Sequence, residues 1–318
     1  MSSIRVAVTG ASGFVGRALC IRLAAGGHVV VALTRSGVRV PGAETTSSIA
    51  GLTDREGLQR SFQGVDAVVH LAARVHVLRE RAHDPLGAFR RVNVDGTRIV
   101  CEEAVRAGAR RVVYVSSVKV HGEGKAEPYR ESDALAPENA YGQSKLEAEQ
   151  VVAAVVRGTA SWTILRPPLV YGPGVGGNFQ RLIRLASLAR RVPVPLGGIR
   201  NRRSMVGVRN LAAALELSAH APAAANQTYL VSDGEDLSTS QLIHQLALAL
   251  GSRARLLPCP VGFLRALAGV TGRTAELDRL TGSLTVDNSA LRGGPGWTPV
   301  VSVAEELRAV SDWWRSTR

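Results

Sequence analysis

Lysine is almost missing from this chain: Lys119, Lys125 and Lys145 are the only three, so a formal net charge of +13 rests on arginine. The arginines are spread over 318 residues without a dense run, and aromatic side chains make up only 4%, leaving few rings on which bases could stack. That pattern speaks against a nucleic-acid surface and fits either an arginine-rich compositional habit or attraction to an anionic ligand or an acidic membrane face. Cysteine is scarce as well. Cys20, Cys101 and Cys259 are odd in number and sit in apolar contexts, which excludes a disulfide framework and predicts reduced thiols with no metal site. No stretch is apolar enough to span a bilayer, and residues 1–10 run into a strand pattern without the charged head and apolar body of a signal peptide. A cytoplasmic protein without membrane insertion is expected.

What is present is an ordinary globular composition, 45% hydrophobic and 20% charged, long enough for one large domain and a small lobe. Short apolar runs at Ile4 to Thr9, Val29 to Leu33, Ala67 to Leu71, Arg111 to Ser116 and Trp162 to Leu165 read as buried strands. Helical periodicity at Phe14 to Ala25, Leu86 to Ala107 and Glu138 to Val156 separates them. Strands alternating with helices predict an α/β fold, a Rossmann-like doubly wound parallel sheet with a smaller C-terminal substrate-binding lobe. Pro and Gly punctuation after Arg166 marks the boundary. The expected division is a dinucleotide-binding domain over 1–166, rejoined by 205–232, a lobe from 167–204 and 233–300, and a C-terminal helix in 301–318.

The turn Thr9-Gly10-Ala11-Ser12-Gly13-Phe14-Val15-Gly16 links the first strand to the first helix. Gly10 permits a tight turn, Gly13 lets backbone approach a pyrophosphate, and Gly16 packs helix on strand, with Ser12, Phe14 and Val15 at the phosphate-facing helix N-terminus. At the end of the second strand, Thr34, Arg35 and Ser36 stand where an acidic residue would bind the ribose 2′-hydroxyl of NAD. A guanidinium and two hydroxyls suit a 2′-phosphate, so NADP(H) is favoured, with NAD(H) as the alternative.

Tyr141 and Lys145 are four residues apart at the start of a helical pattern and project from one face. A nearby ammonium is expected to stabilise the phenolate and draw the Tyr141 pKa down, making it a proton exchanger during hydride transfer. Ser117 ends a strand at the sheet edge where ligands of such folds bind, and its hydroxyl could hold the reacting oxygen.

These residues, with His70-Leu71-Ala72-Ala73, Asn93 and Arg166 to Gly174, resemble the extended short-chain dehydrogenase/reductase (NAD-dependent epimerase/dehydratase) family over almost the whole chain. The resemblance implies a UDP-hexose substrate. It also implies cofactor contacts from the backbone at Leu52, Leu71, Ala72 and Ala73, support from Asn93, a ribose contact from Lys145, and Pro167 beside the nicotinamide. Asn178 and Arg203 match residues that hold the diphosphate, and His121, near Ser117, is assigned a substrate contact. A homodimer through the helices at Leu86 to Ala107 and Glu138 to Val156 would follow relatives.

Departures narrow the chemistry. Val118 and Lys119 replace the Asp-Glu pair of 4,6-dehydratases, Gly51 replaces an acid near the adenine, and Leu169 replaces an asparagine of 4-epimerases. The pattern is most similar to enzymes that reduce the C4 keto group of a UDP-4-keto-6-deoxy-N-acetylhexosamine for surface polysaccharides, using NADPH. An NAD-dependent UDP-sugar 4-epimerase (UDP-glucose or UDP-GlcNAc) is the alternative, and a non-catalytic redox-sensing or nucleic-acid-binding module is a third reading from another class. His70 is expected to pack against the cofactor loop, while His28, His76, His83, His220 and His244 lack metal-ligand spacing.

Overall fold

The computed structural model describes residues 3–75, 84–272 and 274–317, so His76 and His83 lie outside the described residues. Seven strands form the main sheet: β1 (Arg5–Thr9), β2 (Val29–Thr34), β3 (Thr45–Ser48), β4 (Ala67–His70), β5 (Arg111–Val115), β6 (Ser161–Arg166) and, numbered after two lobe strands, β9 (Gln227–Leu230). Their spatial order is β3-β2-β1-β4-β5-β6-β9, and every pairing is parallel. Parallel strands are covered on both faces, which is why Val6, Ala7, Val8, Val68 and Val69 are fully buried. On one face lie α1 (Phe14–Ala25) and α7 (Val208–His220); on the other lie α2 (Arg55–Phe62), α4 (Gly96–Arg106) and α5 (Ala140–Val156).

Two edge strands are not evident in the hydrophobic pattern. The polar sequence Thr45 to Ser48 forms β3, half-exposed at one edge, and Gln227 to Leu230 forms β9 at the other. The helix expected over Leu86 to Ala107 is divided: α3 (Pro85–Arg90) passes through a π turn at Arg91–Asp95 into α4. Such turns recur at functional sites, and this one carries Asn93.

In the lobe, β7 (Leu169–Tyr171) pairs in parallel with β8 (Met205–Gly207). Around them pack α6 (Gly177–Ala189), α8 (Thr239–Ala249), α9 (Val261–Val270) and α10 (Thr274–Thr281), with a core that includes Phe179, Ile183, Ile243 and Leu264. The Asp233 carboxylate joins lobe to sheet domain. It accepts hydrogen bonds from the Tyr171 hydroxyl at 2.8 Å, the Gly207 N–H at 2.9 Å and the Asn210 amide at 2.7 Å. The segments on either side of residue 300 go to different cores. Leu291 of α11 (Ser289–Gly293) and Trp297 are buried in the sheet-domain core, whereas Val303, Leu307, Val310 and Trp314 of α12 (Val303–Ser316) complete the lobe core. Apolar side chains in these segments go to whichever core the preceding turn brings within reach.

Candidate active site

β1 lies between β2 and β4, so the chain leaves it in one direction and returns on the other side, opening a crevice above its C-terminal end. The glycine turn lines that crevice. Gly10 has φ +68°, and a Cβ there would meet the Ala72 nitrogen at 2.9 Å. A Cβ on Gly16 would lie 2.3 Å from the Gly10 carbonyl oxygen. Gly13 caps α1 without a side-chain hydrogen bond, and the first turn holds no acid, so its N–H groups and the positive end of the helix dipole are free to meet an anion. A dinucleotide pyrophosphate fits this cradle. Phe14 turns away to pack against the lobe core.

The neighbouring loop is fixed by β1. The Thr9 hydroxyl lies 2.6 Å from His70 Nδ1 and accepts the Ala72 N–H at 3.3 Å, and His70 Nε2 reaches the Thr97 hydroxyl at 3.0 Å. Burial, helped by the charge of Lys145, drives the His70 pKa down to about 3, so it is a neutral clamp. Leu71 and Ala73 flank Ala72, all three half-buried at the crevice edge. Leu52 packs against α4, where a Cβ on Gly96 would come within 2.9 Å of its side chain.

Beyond β2, Arg35 and Ser36 are exposed and no carboxylate occupies the position. Thr34 departs from expectation. It is 3% exposed and its hydroxyl accepts the Gly37 N–H at 3.0 Å, because a turn with φ +66° at Gly37 folds the backbone over it. Its oxygen is engaged by the turn and the side chain is buried, unlike the exposed Arg35 and Ser36.

Tyr141 is the second residue of α5, whose N-cap Asn139 accepts the Gly142 N–H at 2.9 Å. Gly142 lets α5 approach the 3-10 turn at Val118–Val120: a Cβ there would be 2.6 Å from the Lys119 carbonyl oxygen. Ser117 caps that turn, and the Pro167 carbonyl accepts the Val118 N–H at 3.0 Å, so Ser117, Tyr141 and Pro167 converge. The Tyr141 ring meets Phe89 edge-on at 6.0 Å. Lys145 is 2% exposed with Nζ 4.1 Å from the centroid of the Tyr114 ring, a cation–π contact.

The pKa expectation for this pair is reversed. Burial pushes the Tyr141 phenol up to about 12, outweighing a hydrogen bond with the Ser117 hydroxyl that lowers it. Burial also drives the Lys145 ammonium down to about 7, against the opposing pull of Glu149. Lys145 satisfies its charge on the Tyr114 face, and desolvation exceeds the attraction that spacing alone suggested. The unfolded chain keeps the Lys145 proton to pH 10.5 and the folded chain only to about 7, so stability rises with pH across that window and the penalty is complete below it. Lys145→Met lacks this group. Its melting temperature is expected to exceed the wild type's by at least about 3 °C near pH 6, the gap closing toward about pH 10, as read by scanning calorimetry.

Two residues of the site escape a sequence reading. Arg166, at the end of β6, grips Glu149 of α5 through Nε at 3.0 Å and Nη2 at 2.6 Å, both side chains 6% exposed. The sequence signals are the Arg166 to Gly174 stretch, which by itself gives Arg166 no role, and a carboxylate four residues past Lys145. The third Arg166 nitrogen, Nη1, lies 3.0 Å from His121 Nε2. His121 is corrected accordingly: it is 3% exposed, stacked on Tyr129 at 5.1 Å and lowered to about pKa 4 by burial and Arg166. It belongs to a buried network under the site, not to the crevice surface.

Asn93 is 1% exposed and fully bonded, accepting the Arg74 N–H at 2.7 Å and donating to the Arg74 carbonyl and the Ser144 hydroxyl, each at 3.0 Å. It ties the loop after β4 to α5. Lys119 pairs with Glu123 at the rim. Asn178 is exposed at the N-terminus of α6. Arg203 Nη1 donates to the Arg279 carbonyl at 2.7 Å and the Gly282 carbonyl at 3.1 Å, which ties one nitrogen of the guanidinium to lobe backbone.

Residues 6–232 match the NAD dependent epimerase/dehydratase family. The chain belongs to that family. It is 36% identical over 308 residues to a UDP-glucose 4-epimerase of Vibrio cholerae, covering 95% of this chain and 93% of that protein. An N-acetyl-alpha-D-glucosaminyl-diphospho-ditrans,octacis-undecaprenol 4-epimerase of Escherichia coli O157:H7 is 30% identical over 266 residues, 81% of this chain and 77% of the other. Among solved structures, MoeE5 in complex with UDP-glucuronic acid and NAD superposes with a TM-score of 0.79 at 27% identity, covering 99% of this chain and 100% of that one. This epimerase/dehydratase family member is thus an NAD(P)-dependent enzyme of the nucleotide-sugar epimerase or reductase type. Among its described residues, no helix is long and apolar enough to cross a membrane and no cluster of ligating side chains could hold a metal ion.

Proposed function

We propose that the enzyme uses NADPH to reduce the C4 keto group of a UDP-4-keto-6-deoxy-N-acetylhexosamine. The observation that carries this reading is the acid-free end of β2, where exposed Arg35 and Ser36 suit a 2′-phosphate and hence a cofactor drawn from the reducing pool. The glycine turn and the N-terminus of α1 would hold the pyrophosphate, with Leu52, Leu71, Ala72 and Ala73 along the adenosine side and Pro167 at the nicotinamide end. When bound, the reduced nicotinamide supplies a hydride to the sugar carbonyl carbon.

The chain's own part is the oxygen and the proton. Ser117 orients the carbonyl oxygen by donating a hydrogen bond, and Tyr141 gives its phenolic proton to the developing alkoxide. A phenol held at about 12 is fully protonated at neutral pH, which suits a donor. Lys145 keeps Tyr141 and the nicotinamide ribose in register, while Asn178 and Arg203 reach for the diphosphate. Val118 and Lys119 leave no acid to protonate a leaving hydroxyl, so elimination of water is not part of the reaction.

The test is direct. Purified enzyme with NADPH and the 4-keto substrate should oxidise NADPH; no oxidation rejects the proposal. NADPH should also bind about 10–100-fold more tightly than NADH, since one or two charge-assisted hydrogen bonds are at stake, and Arg35→Ala should remove most of that difference in a fluorescence titration. A second reading, UDP-sugar 4-epimerase, is favoured by the 36% identity to the Vibrio cholerae protein. It requires stoichiometric NAD in the purified enzyme and conversion of UDP-glucose or UDP-GlcNAc to its 4-epimer with no cofactor added.

A further inference from the structure

The outer face of α9 is apolar. Phe263, Leu267 and Val270 are 64%, 55% and 89% exposed, and their spacing puts them on one stripe, while Leu264 and Ala268 face the lobe core. The patch continues through neighbouring backbone. Leu257, 52% exposed, is bonded to Val194 and Gly197 at 2.9 Å each, and this segment leads back to Val192 and Leu188, each 50% exposed. A run of large apolar side chains left to water marks a surface that something covers.

Beside it, on the side away from α10, whose Asp278 and Glu276 pair with Arg265 and Arg181, unpaired positive charge gathers. Arg255 N–H bonds the Ala189 carbonyl at 2.7 Å, which sets Arg253 and Arg255 beside Arg190 and Arg191. All four are exposed and have no ion-pair partner among the described residues. Residues 177–204 contain seven arginines and no acid. We propose that this face docks on an anionic lipid bilayer, with the α9 stripe entering the headgroup boundary and the four arginines meeting lipid phosphates. Apolar stripe and arginine flank together are the two halves of interfacial binding, and none of the described helices is long and apolar enough to span the bilayer. A second copy of the chain is the rival occupant, and the test below separates the two. The inference is independent of which sugar the active site takes.

The test uses the full-length enzyme and sedimentation with vesicles of phosphatidylcholine alone or mixed with phosphatidylglycerol. Binding is expected to the mixed vesicles only and to fall as salt is raised. Phe263→Glu/Leu267→Glu and, separately, Arg190→Glu/Arg191→Glu should each lower the bound fraction about tenfold or more while turnover of a soluble substrate stays at the wild-type level. No binding, equal binding to both vesicle types, or binding that neither variant weakens overturns the proposal. So does a dimer in sedimentation velocity that Phe263→Glu/Leu267→Glu dissolves without any vesicle binding.

Discussion

Tyr141→Phe is expected to leave a folded enzyme whose turnover is lower by about 10²–10⁴-fold, the usual contribution of a positioned proton donor. The substitution deletes one hydroxyl and keeps the ring that packs edge-on against Phe89 at 6.0 Å. Cofactor affinity should hardly change, because the cradle at Gly10, Gly13 and Gly16 belongs to other elements. Without the phenol, water must bring the proton to an oxygen that only Ser117 still orients. Single-turnover oxidation of NADPH, compared with NADPH affinity measured by fluorescence, separates the two effects. Turnover within about tenfold of wild type would mean that another group supplies the proton.

Arg166→Met should cost about 3–5 kcal/mol of folding stability, the range for breaking a buried ion pair from one side. The guanidinium holds both Glu149 oxygens, at 3.0 and 2.6 Å, where each side chain is 6% exposed. Its removal strands a carboxylate on the buried face of α5, the helix that also carries Tyr141 and Lys145. Two apolar side chains of similar volume need no partner, so Arg166→Met/Glu149→Met is expected to recover most of the loss. Urea unfolding of the three proteins measures both quantities. A cost under about 1 kcal/mol for the single variant would place the pair in the class of surface salt bridges.

Local sequence was enough for the glycine turn, for the strands rich in Val that fill the middle of the sheet, and for the four-residue spacing of Tyr141 and Lys145. Each of these rests on backbone geometry within a few residues, and the turn from β1 into α1 runs from Thr9 to Phe14 as read. The edge strand at Thr45 to Ser48 was not legible, since its four residues are all Thr or Ser and its strand state comes from pairing with β2. The π turn around Asn93 is equally invisible in a helical pattern, being settled by contacts to Arg74 and Ser144.

The same division explains the site. Sequence by itself determined which chemical groups are available: a phenol, an ammonium, a hydroxyl and an acid-free end of β2. Tertiary structure alone decided their state and their company. Burial raised the Tyr141 phenol further above neutral pH and weakened the Lys145 charge, drew the Thr34 side chain into a turn, and joined His121 to Arg166 across 45 residues. Desolvation and long-range pairing depend on what surrounds a group in space, and a linear pattern carries only the neighbours along the chain.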